Sequence, residues 1–174
     1  MSDDPRAAAS GSLTGLAEGR FTGRDEFRQR VRDALACAAR EGWREIIVSD
    51  TDFHDWPLGE RAVAESLQAW SKSGRSFTML AADFGPVMRQ HARFVQWRST
   101  WGHIVTARKA GAAQAQEVPS MLWSPGWHLH RLDRERCVGL CGHQPERRAL
   151  LREALNEWLV RRSGPGFPAT TLGL

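Results

Sequence analysis

Arg44-Glu45-Ile46-Ile47-Val48-Ser49-Asp50-Thr51-Asp52-Phe53-His54-Asp55-Trp56-Pro57 is the stretch whose reading decides the fold. It opens as a short β-branched apolar run from Glu45 to Ser49, the pattern of a strand buried on both faces. It closes in a polar, acidic turn. In an open α/β sheet, ligands gather just past the carboxyl ends of the strands. Asp50, Asp52, His54 and Asp55 are therefore the first candidate ligand-binding residues.

Working downstream, Leu58 or Gly59 is predicted to open a helix with Val63, Leu67 and Trp70 inward, and Gly74 to stop it. Ser76 to Ala81 is a second strand. Asp83-Phe84-Gly85-Pro86 is a turn, with Pro86 suited to a first helical position. The next helix runs to about Trp101 with Val87, His91, Phe94, Val95 and Arg98 on one stripe, and Gly102 ends it. His91 is a further candidate. Such a histidine is most often buried and hydrogen-bonded, and the functional alternative points it into the cleft near Asp50. His103 to Ala107 is a third strand.

Upstream, Thr22-Gly23-Arg24-Asp25 has capping-box spacing. Phe27, Val31, Ala34, Leu35 and Ala38 then mark one helix face, closed by Gly42. Strand and helix alternating in this rhythm predict a mostly parallel sheet built by right-handed crossovers. Past Ala107 the pattern changes. Lys109 to Pro119 reads as a long loop. Met121–Ser124, Trp127–Leu132 and Arg136–Cys141 read as antiparallel hairpins added to the sheet edge, and Pro145–Arg162 as a closing helix with Leu151, Ala154, Leu155, Trp158 and Leu159 inward. Residues 1–20 and 163–174 read as loose segments around one domain over 21–162.

The 174 residues carry 41% hydrophobic and 25% charged side chains, which suits one globular domain and argues against disorder. Eight Trp and no Tyr place several large apolar anchors in the core or an interface. A net charge of +4, with Arg scattered among acids, is mild for a nucleic-acid binder. The three cysteines, Cys37, Cys137 and Cys141, have no framework spacing and point to a reducing, cytoplasmic setting. No apolar run is long enough for a membrane span.

Trp127-His128-Leu129-His130-Arg131-Leu132-Asp133, a turn, and then Val138-Gly139-Leu140-Cys141-Gly142 resemble the second half of a phospholipase D-like domain. That family carries His-x-Lys-x4-Asp on a strand, followed by a strand ending in small residues. With Asp133 set on the family's Asp, the Lys position holds His128 and the nucleophilic His position holds Gly126. Glycine cannot form the covalent adduct on phosphorus. Asp50 to Trp56, Met79 to Asp83 and His91 to Phe94 are also similar to bacterial proteins of unknown function with this fold. The resemblance spans Phe21 to Arg162 and implies a two-fold homodimer, since active members set two such halves face to face.

Other readings stand beside it. Asp50-Thr51-Asp52 resembles the Asp-x-Asp of haloacid dehalogenase-type phosphatases, where Mg²⁺ lies between the carboxylates, with Lys109 and Asp133 as later members. The bland alternative is that Asp50 and Asp52 cap the turn. His128, His130, Cys137, Cys141 and His143 could gather around Zn²⁺, or the two histidines could be solvated or paired across strands. Arg147, Arg148, Arg152, Arg161 and Arg162 make a basic side on the closing helix, a solvated face or a nucleic-acid surface.

The expectation is a single α/β domain with a mixed, mostly parallel sheet flanked by helices and added antiparallel hairpins, a phospholipase D-like half. It is a non-catalytic module without a cofactor, binding an anionic ligand or protein partner through Asp50, Asp52, His54, Asp55, His91, His128, His130 and Asp133. The alternatives are a metal-dependent phosphohydrolase using Asp50 and Asp52, and a nucleic-acid-binding protein.

Overall fold

A computed structural model of the chain describes residues 15–167. The strands are β1 (Gly19–Thr22), β2 (Glu45–Ser49), β3 (Ser76–Ala81), β4 (Val105–Ala110), β5 (Ser120–Trp123), β6 (His128–Asp133), β7 (Val138–Gly142) and β8 (Ser163–Pro165). The helices are α1 (Arg24–Glu41), α2 (Arg61–Ser71), α3 (Gly85–Gln90), α4 (Ala92–Thr100) and α5 (Pro145–Arg161). All eight strands form one mixed sheet in the order β1-β7-β6-β5-β2-β3-β4-β8.

The sheet is mostly antiparallel, which corrects the expected parallel one. Two neighbouring pairs, β2–β3 and β3–β4, are parallel. The other five are antiparallel. Helical crossovers connect only β2, β3 and β4. β5 pairs antiparallel with the outer side of β2, and β6 and β7 follow as successive hairpins. Chain reversal through a short turn yields an antiparallel partner.

Helix periodicity was a sound guide to the core. Phe27, Val31, Ala34, Leu35 and Ala38 of α1 are buried, as are Val63, Leu67 and Trp70 of α2. They share one apolar cluster with Ile46, Val48, Phe77, Phe94 and Trp97. Ile47, between Ile46 and Val48, packs on the opposite face with Met121, Trp123, Leu151 and Leu155. β2 is thus covered on both sides, as its unbroken apolar run requires. On α5, Leu151, Leu155 and Trp158 turn inward, whereas Ala154 is exposed.

Several boundaries differ from expectation. Gly23 is the N-cap of α1, and it is Glu26, not Asp25, that reaches back, accepting from the Thr22 N–H at 2.7 Å. α2 starts at Arg61, after two turns closed by Trp56 N–H to Phe53 O and Glu60 N–H to Pro57 O. The single helix expected from Pro86 to Trp101 is two helices, broken at His91 (φ −119°, ψ 56°). β4 extends to Ala110, and a 3₁₀ turn over Ala112–Glu117 occupies the expected loop. The segments read as loose are partly built in. Leu16 is buried and β1 begins at Gly19. Ser163–Pro165 pairs with β4, and Phe167 stacks on Phe84 at 5.2 Å. The remainder of those segments, 1–14 and 168–174, lies outside the described residues. Among the described residues no helix is long and apolar enough to cross a membrane.

Candidate ligand-binding site

The turn after β2 is held by its own first carboxylate. Asp50 is buried, and its Oδ2 accepts from the backbone N–H of Asp52 at 3.2 Å and of Phe53 at 2.9 Å. Phe53 takes a positive φ of 60°, a conformation that costs a bulky residue about 1–3 kcal/mol unless its surroundings enforce it. They do. Its N–H is bound by Asp50, its carbonyl accepts from His91 Nε2 at 2.8 Å, and its ring packs on Trp56 at 4.9 Å.

Arg131 of β6 locks this turn from behind. Its Nη1 donates to Asp55 Oδ2 at 2.6 Å, and its Nη2 donates to Asp55 Oδ1 at 3.1 Å and Asp50 Oδ1 at 3.0 Å. Its Nε donates to Ser120 Oγ at 3.0 Å, and the guanidinium lies 4.2 Å over the Phe27 ring. The Arg131 side chain is 1% exposed, so these are fork-shaped charge-assisted bonds in a dry interior. Burial works to raise the Asp55 carboxyl, but the Arg131 hydrogen bonds and charge overturn that and hold it below its ordinary value. Burial pulls the Arg131 guanidinium down, and its bond to Asp55 and both carboxylate charges push it above its ordinary value. Cys137, also at positive φ (52°), sits 3.5 Å from Arg131 Nη1.

In front of this cluster lies a cavity of about 260 Å³, lined by Arg28, His54, Trp56, Gly59, Glu60 and His91 among others. Arg28 spends its Nε on the Asp55 carbonyl at 2.8 Å. Trp56 is 1% exposed, and its Nε1–H has no hydrogen-bond partner among the described residues. His54 is aligned by Asp52, whose Oδ1 lies 2.7 Å from His54 Nδ1. His91 must donate through Nε2 to the Phe53 carbonyl, so its neutral ring leaves Nδ1 as an acceptor. Burial lowers the His91 pKa, the Phe53 carbonyl partly opposes this, and Arg28 and His54 lower it further. A Cβ at Gly59 would sit 3.0 Å from that Nδ1, so a side chain there would crowd it.

The eight residues read from sequence separate into two groups. Asp50, Asp52, His54, Asp55 and His91 come together around the β2 turn. His128 and His130 do not join them. Alternation along β6 puts them opposite Leu129 and Arg131, toward α5. Asp133 is the last residue of β6, where its Oδ1 accepts from the Arg136 N–H of the following turn at 3.0 Å. Gly126 is exposed between β5 and β6. The His and Cys residues of the zinc alternative are split, because Cys141 is paired with Leu129 and shares its face, away from His128. Among the described residues no three His, Cys, Asp or Glu side chains cluster as a metal site would need. Asp50 and Asp52 do not share a ligand position either. Asp50 turns to Arg131 and Asp52 to His54. The sequence reading missed Arg28, Trp56 and Arg131. The usable signal for Arg131 was its place on the same strand face as core residue Leu129.

No family model matches the chain, and no curated protein matches it. It is similar in structure to TrmBL2, an archaeal chromatin protein with a novel mode of DNA binding, at a TM-score of 0.62 and 13% identity. The match covers 88% of this chain and 56% of that one, so this chain spans little more than half its length. At this identity the likeness is one of fold.

Proposed function

We propose that the chain is a non-catalytic binding module whose strand-end cavity holds a small anion bearing a hydroxyl group, such as a phosphomonoester. The observation that carries this is the orphan Trp56 N–H, buried in the lining of a cavity that also presents Arg28, His54 and His91. A buried donor without a partner costs about 1–3 kcal/mol, which an accepting ligand recovers. The neighbouring carboxylates are all committed elsewhere. Asp50 and Asp55 face Arg131, Asp52 faces His54, and Glu60 is held by Arg32 at 2.7 Å. What remains for a ligand is the Arg28 fork and the Trp56 N–H as donors, with His54 Nε2 and His91 Nδ1 able to accept from its hydroxyl. Isothermal titration with inorganic phosphate and with glycerol phosphate tests it. Saturable binding is expected, weakened about tenfold in Trp56→Phe, which keeps the ring and removes one donor. Absence of binding by both probes, or an unchanged affinity in Trp56→Phe, overturns the reading.

A second reading, nucleic-acid binding, is supported by the likeness of fold to a DNA-binding chromatin protein. The basic side expected on α5 is not one open stripe. Arg152 pairs with Glu45 at 2.6 Å and covers Trp123, and Arg148 donates to the His143 carbonyl. The cations that remain together lie at the other end of that helix.

A further inference from the structure

We infer that the groove where α5 meets the β4–β8 edge is a sequence-tolerant site for the phosphodiester backbone of nucleic acid. This rests on the nucleic-acid reading and is independent of the strand-end cavity. The groove is about 740 Å³ and is lined by Lys109, Arg161 and Arg162, with Gly111, Ala112 and Gly164 among the small residues between them. No acidic side chain lines it. Lys109 is exposed and has no ion pair among the described residues. Arg161 is 74% exposed and only loosely approached by Glu157 at 3.6 Å. Arg162 is fixed more firmly, between Glu117 at 2.5 Å and the face of Trp158 at 3.7 Å.

Three features set the ligand class. Cations without an acid in the lining select an extended polyanion. The small residues leave the backbone approachable, so phosphates can come close. Trp158 is 5% exposed and already covered by Arg162, so no aromatic face is offered to a base. Without a stacking platform or a base-reading group, affinity comes from phosphate neutralisation, and sequence is not read.

Fluorescence anisotropy with a labelled twenty-nucleotide thymidine strand tests this. Two phosphates neutralised by Lys109 and Arg161 give a slope of log affinity on log salt of about −1.4, a loss of roughly sevenfold between 50 and 200 mM salt. Lys109→Glu with Arg161→Glu is expected to weaken binding at least tenfold at 50 mM, and Lys109→Gln alone to shallow the slope by about 0.7. Both positions are exposed, and a circular-dichroism melt checks that the variants fold. Arg28→Ala should leave strand binding unchanged. Binding that survives intact in the double variant overturns the groove while leaving the nucleic-acid reading standing. Failure to bind the strand at all overturns both.

Discussion

Arg131 and His128 stand three residues apart on one strand, both buried, on opposite faces of one sheet. Arg131 is saturated, since every nitrogen of its guanidinium has a partner. His128 is 0% exposed, and neither ring nitrogen has a hydrogen-bond partner among the described residues. The difference shows what each polar group does for the fold. Arg131 ties β6 to the turn after β2 and so fixes the cavity in front of it. His128 fixes nothing by hydrogen bonding and makes the α5 face more expensive to bury.

The largest expected effect comes from breaking the saturated side. Arg131→Met keeps the length of the side chain and strands Asp50 and Asp55 as buried, unpaired carboxylates. Removing one partner of a buried ion cluster costs about 3–5 kcal/mol. Urea unfolding of Arg131→Met should register a loss of that order. Adding Asp50→Asn and Asp55→Asn to the same chain should recover part of it, because the stranded charges are then gone. A loss near 1 kcal/mol, or no recovery, would show that the cluster does not hold the turn.

The unsatisfied side gives a smaller effect of opposite sign. Burial pushes the His128 pKa down to about 4, with Arg147, Arg148, His130 and His143 lowering it further. The unfolded chain, with its histidine near 6.5, takes up the proton first as the pH falls. Stability from this group is therefore complete above pH 6.5, falls between 6.5 and 4, and changes no more below that. The depth of the fall is on the order of 3 kcal/mol. His128→Leu should raise stability at pH 7 by about 1–2 kcal/mol, by removing two buried polar atoms that lack partners. It should also flatten the profile between pH 6.5 and 4. Thermal melts of both proteins across that window decide it, and parallel profiles would contradict the assignment.

The same contrast explains what could be read in the chain beforehand. Ile46-Ile47-Val48 announced a strand covered on both faces, and the spacing of Phe27, Val31 and Leu35 announced the buried side of α1. Those signals are local. The turn residues Asp50 and Asp55 were legible as a polar cluster past a strand end, but their partner was not, because Arg131 lies 81 and 76 residues away. Pairing of β5 against β2 creates that contact, and register between distant strands leaves no local trace. The break at His91 was hidden for a similar reason. Its neighbours continue a helical stripe, and the hydrogen bond to the Phe53 carbonyl is a tertiary one. His128 and His130 were grouped with Asp133 through the resemblance to the phospholipase D-like motif, whereas strand alternation sets the two histidines on the face away from Arg131.

The smallest effect on stability belongs to the pair nearest solvent, and it sharpens the comparison by separating holding the fold from holding a ligand. The His54 and Asp52 side chains are 55% and 29% exposed, and exposed ion pairs contribute about 0–1 kcal/mol. Asp52→Asn should therefore shift urea unfolding by less than about 1 kcal/mol, well below the cost of Arg131→Met. Its effect on phosphate binding should be larger in proportion. The carboxylate accepts from both the backbone N–H and the Nδ1 of His54, directing Nε2 away from the turn. An amide in its place loses the charge and weakens that orientation, so phosphate affinity should fall severalfold with little change in the melt. If stability and affinity fall together, Asp52 belongs with Asp50 as part of the frame. If neither moves, the imidazole of His54 plays no part in the cavity, and anion recognition rests on Arg28 and Trp56 alone.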